Sequence, residues 1–141
     1  WWRALMAAKP THIVDACALI AYFKEEEGHE RFAELLVDEE NVLAIHATNL
    51  CEVYYGYLRS DGADRADEAW QRATEILGVI DTLDLQFIKR VGRWKVDYSL
   101  GLADAFAAAT AEMNACSLVT TDRNDFGAIE AAGALEIAWL R

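Results

Sequence analysis

The chain contains little of what disordered, membrane-bound or secreted proteins require. Proline occurs once and glycine eight times in 141 residues, whereas 54% of the residues are hydrophobic, and this composition is typical of a folded globular domain. No apolar run approaches the roughly 20 residues of a membrane-spanning helix, and no basic-then-apolar secretory signal is present. We therefore expect one cytoplasmic domain with its own hydrophobic core and no membrane association.

Cysteine and histidine are also scarce, and neither residue type forms a recognisable site. The three cysteines, Cys17, Cys51 and Cys116, have no CxxC spacing, and each lies in an apolar segment, so we interpret them as reduced core thiols. The three histidines lack metal-ligand spacing, and His46 falls in a predicted loop. Because no glycine-rich phosphate loop is present either, the pattern argues against a catalytic histidine and a phosphate-binding loop.

Positive charge is in short supply. The chain has 13 lysine and arginine residues against 24 aspartate and glutamate residues, which gives a net charge of −11. Domains that only bind nucleic acid are usually basic, so this balance argues against a passive nucleic-acid binder. It fits a nuclease whose acids are neutralised by a metal, or a strongly basic protein partner. We interpret Arg93, Lys95 and Arg123 as solvated surface charges rather than contacts to RNA phosphates.

Apolar runs alternate with amphipathic stretches along nearly the whole chain. Strands that alternate with helices favour a mostly parallel sheet covered on both faces, so we predict an α/β fold. Thr48 or Asn49 is the predicted cap of the third helix. Strands are predicted at 11–15, 42–45, 79–83, 117–121 and 135–138, and helices at 16–23, 28–39, 48–59, 64–77, 85–97, 102–114 and 125–132.

The functional domain is predicted to begin at residue 11. The first methionine is Met6, and the first predicted strand starts only after Pro10. We interpret residues 1–10 as an N-terminal extension, the first five of them as an extension or an artefact of expression. Residues 11–141 then form the domain.

Two acidic residues follow directly on apolar strands. Asp15 comes after the first predicted strand and Asp122 after the fourth. Open α/β sheets bind ligands at the carboxyl ends of their strands, so both carboxylates are candidates for one site. Each aspartate is also explained by a structural role, as the cap of the next helix or as a turn residue. Asp125 is either a fifth acid of the site or the cap of the last helix, and we favour the cap.

Two further acids lie on predicted helices. Glu52 points away from the apolar face of its helix, which is typical of a solvated glutamate, but Gly56 follows one turn later on the same face and suggests a close approach there. Asp104 lies in the first turn of an alanine-rich helix that is apolar all round, where a carboxylate is unfavourable unless it is paired or metal-bound. A capping role at an exposed helix end is the alternative for Asp104. Four carboxylates that meet at one edge would repel each other unless a hard cation lay between them.

Four short motifs, each weak alone, occur in an order that resembles the PIN-domain family, and within it the VapC-type toxins of bacterial toxin–antitoxin pairs. The resemblance extends over nearly all of residues 11–140. It implies a three-layer α/β/α sandwich with a central, mostly parallel sheet, and it places Asp15, Glu52, Asp104 and Asp122 at an acidic metal site. The motifs are IVDACAL at 13–19, TNLCEV at 48–53, LADA at 102–105 and LVTTD at 118–122, followed by DF at 125–126.

Members of this family are Mg²⁺- or Mn²⁺-dependent endoribonucleases. They are commonly dimers, and each is restrained by a cognate antitoxin whose tail lies in the active-site groove. The resemblance thus implies an RNA substrate, a divalent metal, a homodimer and an antitoxin partner, and the acidity of this chain suggests a basic segment in that antitoxin. Cys17 departs from the family pattern, since a small hydroxyl residue is frequent at its position.

The acidic residues and the resemblance together suggest metal-dependent hydrolysis of a phosphodiester bond. We expect Asp15 and Asp104 to bind the metal directly, and Asp122 and Glu52 to bind it through water or to orient the attacking water. Two other classes of protein stay open. One is a catalytically inert PIN-like binding module, and the other is a receiver-type signalling domain, which requires a pair of acids after the first strand.

Overall fold

Helices and strands alternate from residue 12 onwards, as predicted. The computed structural model describes residues 8–141, so the interpretation of the first five residues lies outside the described residues. The last helix begins two positions earlier than predicted, and the third strand is shorter than predicted. The strands are β1 (His12–Val14), β2 (Leu43–His46), β3 (Gly78–Ile80), β4 (Ser117–Thr120) and β5 (Ile137–Trp139). The helices are α1 (Ala16–Phe23), α2 (His29–Val37), α3 (Ala47–Ser60), α4 (Ala63–Ile76), α5 (Leu85–Tyr98), α6 (Leu102–Met113) and α7 (Arg123–Ala131).

The five strands form a parallel sheet in the order β3-β2-β1-β4-β5. β1 lies in the middle, where Ile13 is aligned with Ala44 of β2 and Leu118 of β4. This order differs from the 2-1-3-4-5 order of receiver-type domains, which removes the receiver alternative. Because parallel strands end at the same edge of a sheet, Asp15 after β1 and Asp122 after β4 lie at neighbouring positions of that edge.

Each face of the sheet is covered by its own set of helices. Val14 and Ile45 pack with α1 to α4 on one face, whereas Ile13 and Leu118 pack with α5 to α7 on the other. Successive strand residues therefore point to opposite faces, as the pleat requires. This arrangement confirms the predicted three-layer sandwich. No helix formed by residues 8–141 is long and apolar enough to span a membrane.

His46 is the last residue of β2 rather than part of a loop, and it caps α3. Its Nδ1 accepts a hydrogen bond from the Thr48 N–H at 3.1 Å, its Nε2 lies 3.0 Å from the Thr82 carbonyl oxygen, and its ring stacks on Phe87. Burial lowers the pKa of His46 below its usual value. The imidazole is therefore a neutral core group, and the predicted cap at Thr48 or Asn49 is wrong.

The cysteines are not all core residues. Cys17 and Cys116 are partly buried, but Cys51 is exposed on α3. The interpretation as core thiols is therefore wrong for Cys51. The reason is helical periodicity, since the neighbouring Leu50 and Val53 are buried toward the sheet and leave Cys51 on the outward side of the helix.

Candidate active site

Asp15 lies at the carboxyl end of β1 and is only 2% exposed. Its Oδ1 accepts a hydrogen bond from the Ala16 N–H at 2.8 Å and so caps α1. Its Oδ2 accepts from Thr120 Oγ1 at 3.0 Å and from Cys17 Sγ at 3.2 Å. Because the cap uses only Oδ1, capping α1 does not exclude a role for the Asp15 carboxylate in a site at the sheet edge.

The negative charge of Asp15 is poorly compensated. Burial raises the pKa of Asp15, hydrogen bonds from Cys17, Thr120 and Ala16 lower it, and the nearby charge of Asp122 raises it again. Within residues 8–141, no lysine, arginine or histidine forms an ion pair with Asp15. Burial of a carboxylate without a counter-charge is unfavourable, and within the described residues only hydrogen bonds compensate the charge of Asp15.

Asp104 is a second acid whose pKa is raised. Burial raises its pKa to about 8, and the charge of Asp15, a hydrogen bond with Asp125 and the charges of Asp125 and Glu52 act in the same direction. Asp125 is not the cap of α7, as we had favoured. That cap is Asp122, whose Oδ1 accepts a hydrogen bond from the Asp125 N–H at 3.0 Å. Asp125 lies in the first turn of α7 and is a fifth acid of the group.

Glu52 is partly buried on α3 rather than fully solvated. Burial raises its pKa, the charge of Asp15 raises it further, and a hydrogen bond with Asn49 lowers it. Asn49 is itself fully buried, and its Nδ2 donates to the Ala103 carbonyl oxygen at 2.9 Å. That bond ties α3 to the first turn of α6, one residue before Asp104. The Asn49 side chain therefore sets the position of Glu52 relative to Asp104.

The site therefore brings five acids to one edge of the sheet. Their carboxylates act on one another electrostatically. The charge of Asp15 raises the pKa values of Glu52 and Asp104, and the charge of Asp122 raises the pKa of Asp15. Within the described part of the chain, however, no three carboxylate, imidazole or thiol groups are close enough together to hold a metal ion. The acids are Asp15, Glu52, Asp104, Asp122 and Asp125.

The chemistry of these donors suits a hard divalent cation. Mg²⁺ and Mn²⁺ prefer carboxylate oxygens and water. Burial chiefly raises the pKa values of Asp15, Glu52 and Asp104, and the charges of neighbouring carboxylates raise them further. The Asn49 Oδ1 is in addition a buried acceptor without a hydrogen-bond partner in the described residues. The donor types fit the metal, but the carboxylates of the described residues would have to move closer together to share one ion.

Two contributors to the site were not found from the sequence. Asn49 was considered only as a helix cap, although a buried amide inside a helix that is otherwise apolar on that face is a signal of a specific partner. The second contributor is Thr120. Its hydroxyl is fully buried and bonds to Asp15 in the adjacent strand, a contact that depends on the parallel register and has no local sequence signal.

The fold and the site define a class of protein. It is an α/β protein with an acidic site at the carboxyl edge of a parallel sheet. A family model described as the PIN domain matches residues 12–132. The chain therefore belongs to the PIN domain family. No curated protein matches the sequence at a significant level.

Solved structures share the fold at low sequence identity. VapBC2 from Rickettsia felis, solved with a DNA fragment from its promoter, is similar with a TM-score of 0.72 and 20% identity, over 91% of this chain and 97% of that one. A toxin–antitoxin complex from Klebsiella pneumoniae is similar with a TM-score of 0.70 and 21% identity, over 92% and 98% of the two chains. The sarcin–ricin loop cleaving toxin VapC20 from Mycobacterium tuberculosis is similar with a TM-score of 0.66 and 15% identity, over 83% and 94%.

Proposed function

We propose that the chain is a metal-dependent endoribonuclease and the toxin of a type II toxin–antitoxin pair. The observation that carries the proposal is the group of acids around the buried Asp15, in which Asp104 has a pKa raised to about 8. Carboxylates that raise one another's pKa without a compensating base are expected where a divalent cation belongs. Membership of the PIN domain family and the likeness to toxin–antitoxin structures support the same function.

Each residue of the site has its own proposed role in phosphodiester hydrolysis. A bound Mg²⁺ or Mn²⁺ supplies acidity to a water molecule and charge stabilisation to the phosphate. Asp15 and Asp104 are proposed to hold the ion directly. Asp122 and Glu52 would hold it through water or orient the attacking water, and Asp125 would keep Asp104 in place. Thr120 and Cys17 position the Asp15 carboxylate from behind.

The partners follow from the comparisons and from the charge. The similar structures include toxin–antitoxin complexes, and one of the similar toxins cleaves the sarcin–ricin loop. By analogy we propose an RNA substrate, a cytoplasmic location, a homodimer, and an antitoxin that covers the acidic site. Because the net charge is −11, the segment of the antitoxin that lies against the site is expected to be basic.

The experiment is an RNA-cleavage assay with a matched pair of variants. The protein is incubated with total bacterial RNA in Mg²⁺, in Mn²⁺ and in EDTA, and new RNA ends are mapped by sequencing. Asp15→Asn keeps the helix-capping oxygen but removes the charge, so it should abolish cleavage and leave the fold intact. Asp84→Asn is the control, because Asp84 caps α5 in the same way, with its Oδ1 accepting from the Phe87 N–H at 2.9 Å.

A catalytically inert PIN-like binding module is the second candidate. It is favoured by one observation, namely that no metal-holding group is formed by the side chains of residues 8–141 as they lie. The same assay separates the two functions. Cleavage that requires the metal and disappears in Asp15→Asn supports the nuclease, whereas cleavage that persists in EDTA or in Asp15→Asn contradicts the assignment. RNA binding without any metal-dependent cleavage supports the inert module.

A further inference from the structure

A cleft of about 520 Å³ opens beside the acidic site, and two arginines line it. Its walls include Cys17, Glu27 and Asp122 as well as Arg123 and Arg141. Both arginine side chains are exposed, and neither forms an ion pair with a carboxylate of residues 8–141. Glu27 and Asp122 also line the cleft, so its formal charges balance. In a chain with a net charge of −11, the two guanidinium groups are nevertheless a local source of positive charge beside the acidic site.

Arg123 is held in place by its neighbours rather than free in solvent. Its guanidinium lies over the Trp139 ring at 4.3 Å, and its Nε donates to the Arg141 carbonyl oxygen at 3.0 Å. The Trp139 ring is fixed in turn, since its Nε1 donates to Glu130 Oε2 at 2.9 Å. The terminal N–H groups of Arg123 donate to no acceptor in the described residues. Stacking on Trp139 and one hydrogen bond to a backbone carbonyl thus fix the orientation of the planar Arg123 guanidinium. Its terminal N–H groups remain available to a ligand.

Arg141 is anchored by a close contact between two segments that are distant in sequence. Its Nη1 donates to the Glu27 carbonyl oxygen at 3.0 Å. The next residue, Gly28, has a φ of +95°, and a Cβ at that position would lie 2.6 Å from the Leu140 carbonyl oxygen. Only glycine allows the α1–α2 loop to come this close to the end of β5. The contact therefore places the Glu27 carbonyl and, through it, the Arg141 side chain.

We propose that Arg123 and Arg141 form a subsite for a backbone phosphate of the RNA, next to the phosphate that is cleaved. This inference rests on the proposed endoribonuclease function. A planar guanidinium donates two parallel hydrogen bonds to a phosphate, and contacts of this kind position a nucleic acid without reading its sequence. The proposal gives the exposed Arg123, interpreted from the sequence as a solvated surface charge, a role in binding RNA.

The charge distribution explains why a nuclease would need a cationic subsite beside its acids. The acids at the sheet edge repel an RNA backbone wherever they are not neutralised by a cation, so the strand needs a cationic contact close by to remain in place. The cleft that adjoins Asp122 supplies it at the margin of the acidic site. A phosphate bound there would hold the neighbouring linkage over the carboxylates, which lowers KM and improves the alignment of the reacting phosphate.

The test uses an RNA oligonucleotide that spans a cleavage site mapped in total RNA. Uncharged methylphosphonate linkages are placed one at a time, at 2′-deoxy positions that flank the cleaved phosphate. With the wild-type protein, one flanking linkage should raise KM about tenfold when its charge is removed. The Arg123→Gln/Arg141→Gln variant should raise KM on the unmodified RNA by about the same factor and show no further increase with that linkage, because two changes that remove one contact are not additive.

Two variants serve as controls. Arg72→Gln removes an arginine that stacks on Phe23 at the same 4.3 Å, in a different cleft, and it should leave KM unchanged. Arg123→Lys/Arg141→Lys keeps both charges but loses the fork, so its KM should fall between those of the wild type and the glutamine variant. Glutamine removes the guanidinium charge but keeps a polar side chain, and thermal unfolding checks that each variant is folded.

The outcomes separate this proposal from the proposed function. If the wild type cleaves RNA but the glutamine variant has a wild-type KM, or if the variant still responds to every methylphosphonate as the wild type does, the arginine subsite is wrong and the nuclease stands. If the glutamine variant loses affinity for an antitoxin while its KM for RNA is unchanged, the arginines serve a protein partner and the subsite is again wrong. If the wild type cleaves no RNA in Mg²⁺ or Mn²⁺, both proposals fail.

Discussion

The Thr120 hydroxyl bridges the two aspartates that end neighbouring strands. It donates to Asp15 Oδ2 at 3.0 Å and accepts a hydrogen bond from the Asp122 N–H at 3.1 Å. Cys17 Sγ lies 3.3 Å from the same hydroxyl oxygen. One buried side chain on β4 thus fixes both the carboxylate after β1 and the backbone that carries Asp122. The geometry of the acidic site depends on this contact between two strands.

Replacing Thr120 by valine should damage both stability and activity. Valine has the same shape but removes the stronger of the two donors to Asp15 Oδ2, so that only Cys17 Sγ remains, and this loss costs about 1–3 kcal/mol. Loss of a partner that orients a metal ligand typically lowers activity about 10- to 100-fold. Thermal unfolding and the RNA-cleavage rate measure the two effects. Thr120→Ser restores the hydroxyl and should recover most of the activity, and equal activity of the valine and serine variants would contradict this role.

Asn49 should be required for activity more than for folding. Asn49→Leu removes the hydrogen bond to the Ala103 carbonyl, which is worth about 1 kcal/mol, and frees α3 from the first turn of α6. The position of Glu52 relative to Asp104 would then no longer be fixed, so the cleavage rate should fall by at least about tenfold. The matched control is Asn114→Leu, since the Asn114 Nδ2 donates to the Thr110 carbonyl at 2.8 Å at the far end of α6.

The two asparagine variants are compared by unfolding and by cleavage rate. The control should lose a similar amount of stability and keep its activity, because its bond lies away from the acids. If Asn49→Leu and Asn114→Leu lower the activity equally, Asn49 contributes only to stability and has no specific role at the site.

The sequence was sufficient for the fold because its signals are local and repeated. Apolar runs such as Leu118–Thr120 are short, β-branched and bounded by polar residues, and seven amphipathic stretches separate or follow them. This alternation requires a parallel sheet, whatever the details of packing. Helix boundaries were less well predicted, since the cap of α3 is an imidazole at the end of a strand and histidine is not a usual N-cap residue.

The candidate site was only partly predictable. Asp15 and Asp122 stand directly after strands, so their place at the sheet edge follows from topology alone. Asp125 was assigned as a cap because it precedes an apolar helix, but Asp122 occupies that role and leaves Asp125 beside Asp104. The bridge from Thr120 and the arginine contact between Arg141 and Glu27 join residues far apart in sequence. Such contacts depend on register and loop packing, which a single sequence does not encode locally.

The cysteines should differ sharply in reactivity. Burial and the charge of Asp15 raise the pKa of Cys17 to about 12, and burial raises the pKa of Cys116 to about 11, whereas Cys51 is exposed. Because the thiolate is the reactive form, iodoacetamide at pH 7.5 should modify Cys51 first in the folded protein. Mass spectrometry of tryptic peptides measures the rates, and Cys51→Ser should remove the fast phase. Faster modification of Cys17 than of Cys51 would show that the Asp15 network is open to solvent.

Metal-free protein should become less stable as the pH rises toward 8, and Asp104 should be a cause. Its pKa is raised from an ordinary 3.8 to about 8 in the folded state, so the folded state binds more protons than the unfolded state between these values, and stability falls as pH increases. Asp104→Asn removes this titration. In EDTA its melting temperature should exceed that of the wild type by a margin that grows from pH 5 to pH 8. Saturating Mg²⁺ should reverse the order, because only the wild type retains the full set of acids that bind the ion. A margin that is constant with pH in EDTA would mean that Asp104 is not held protonated by its neighbours.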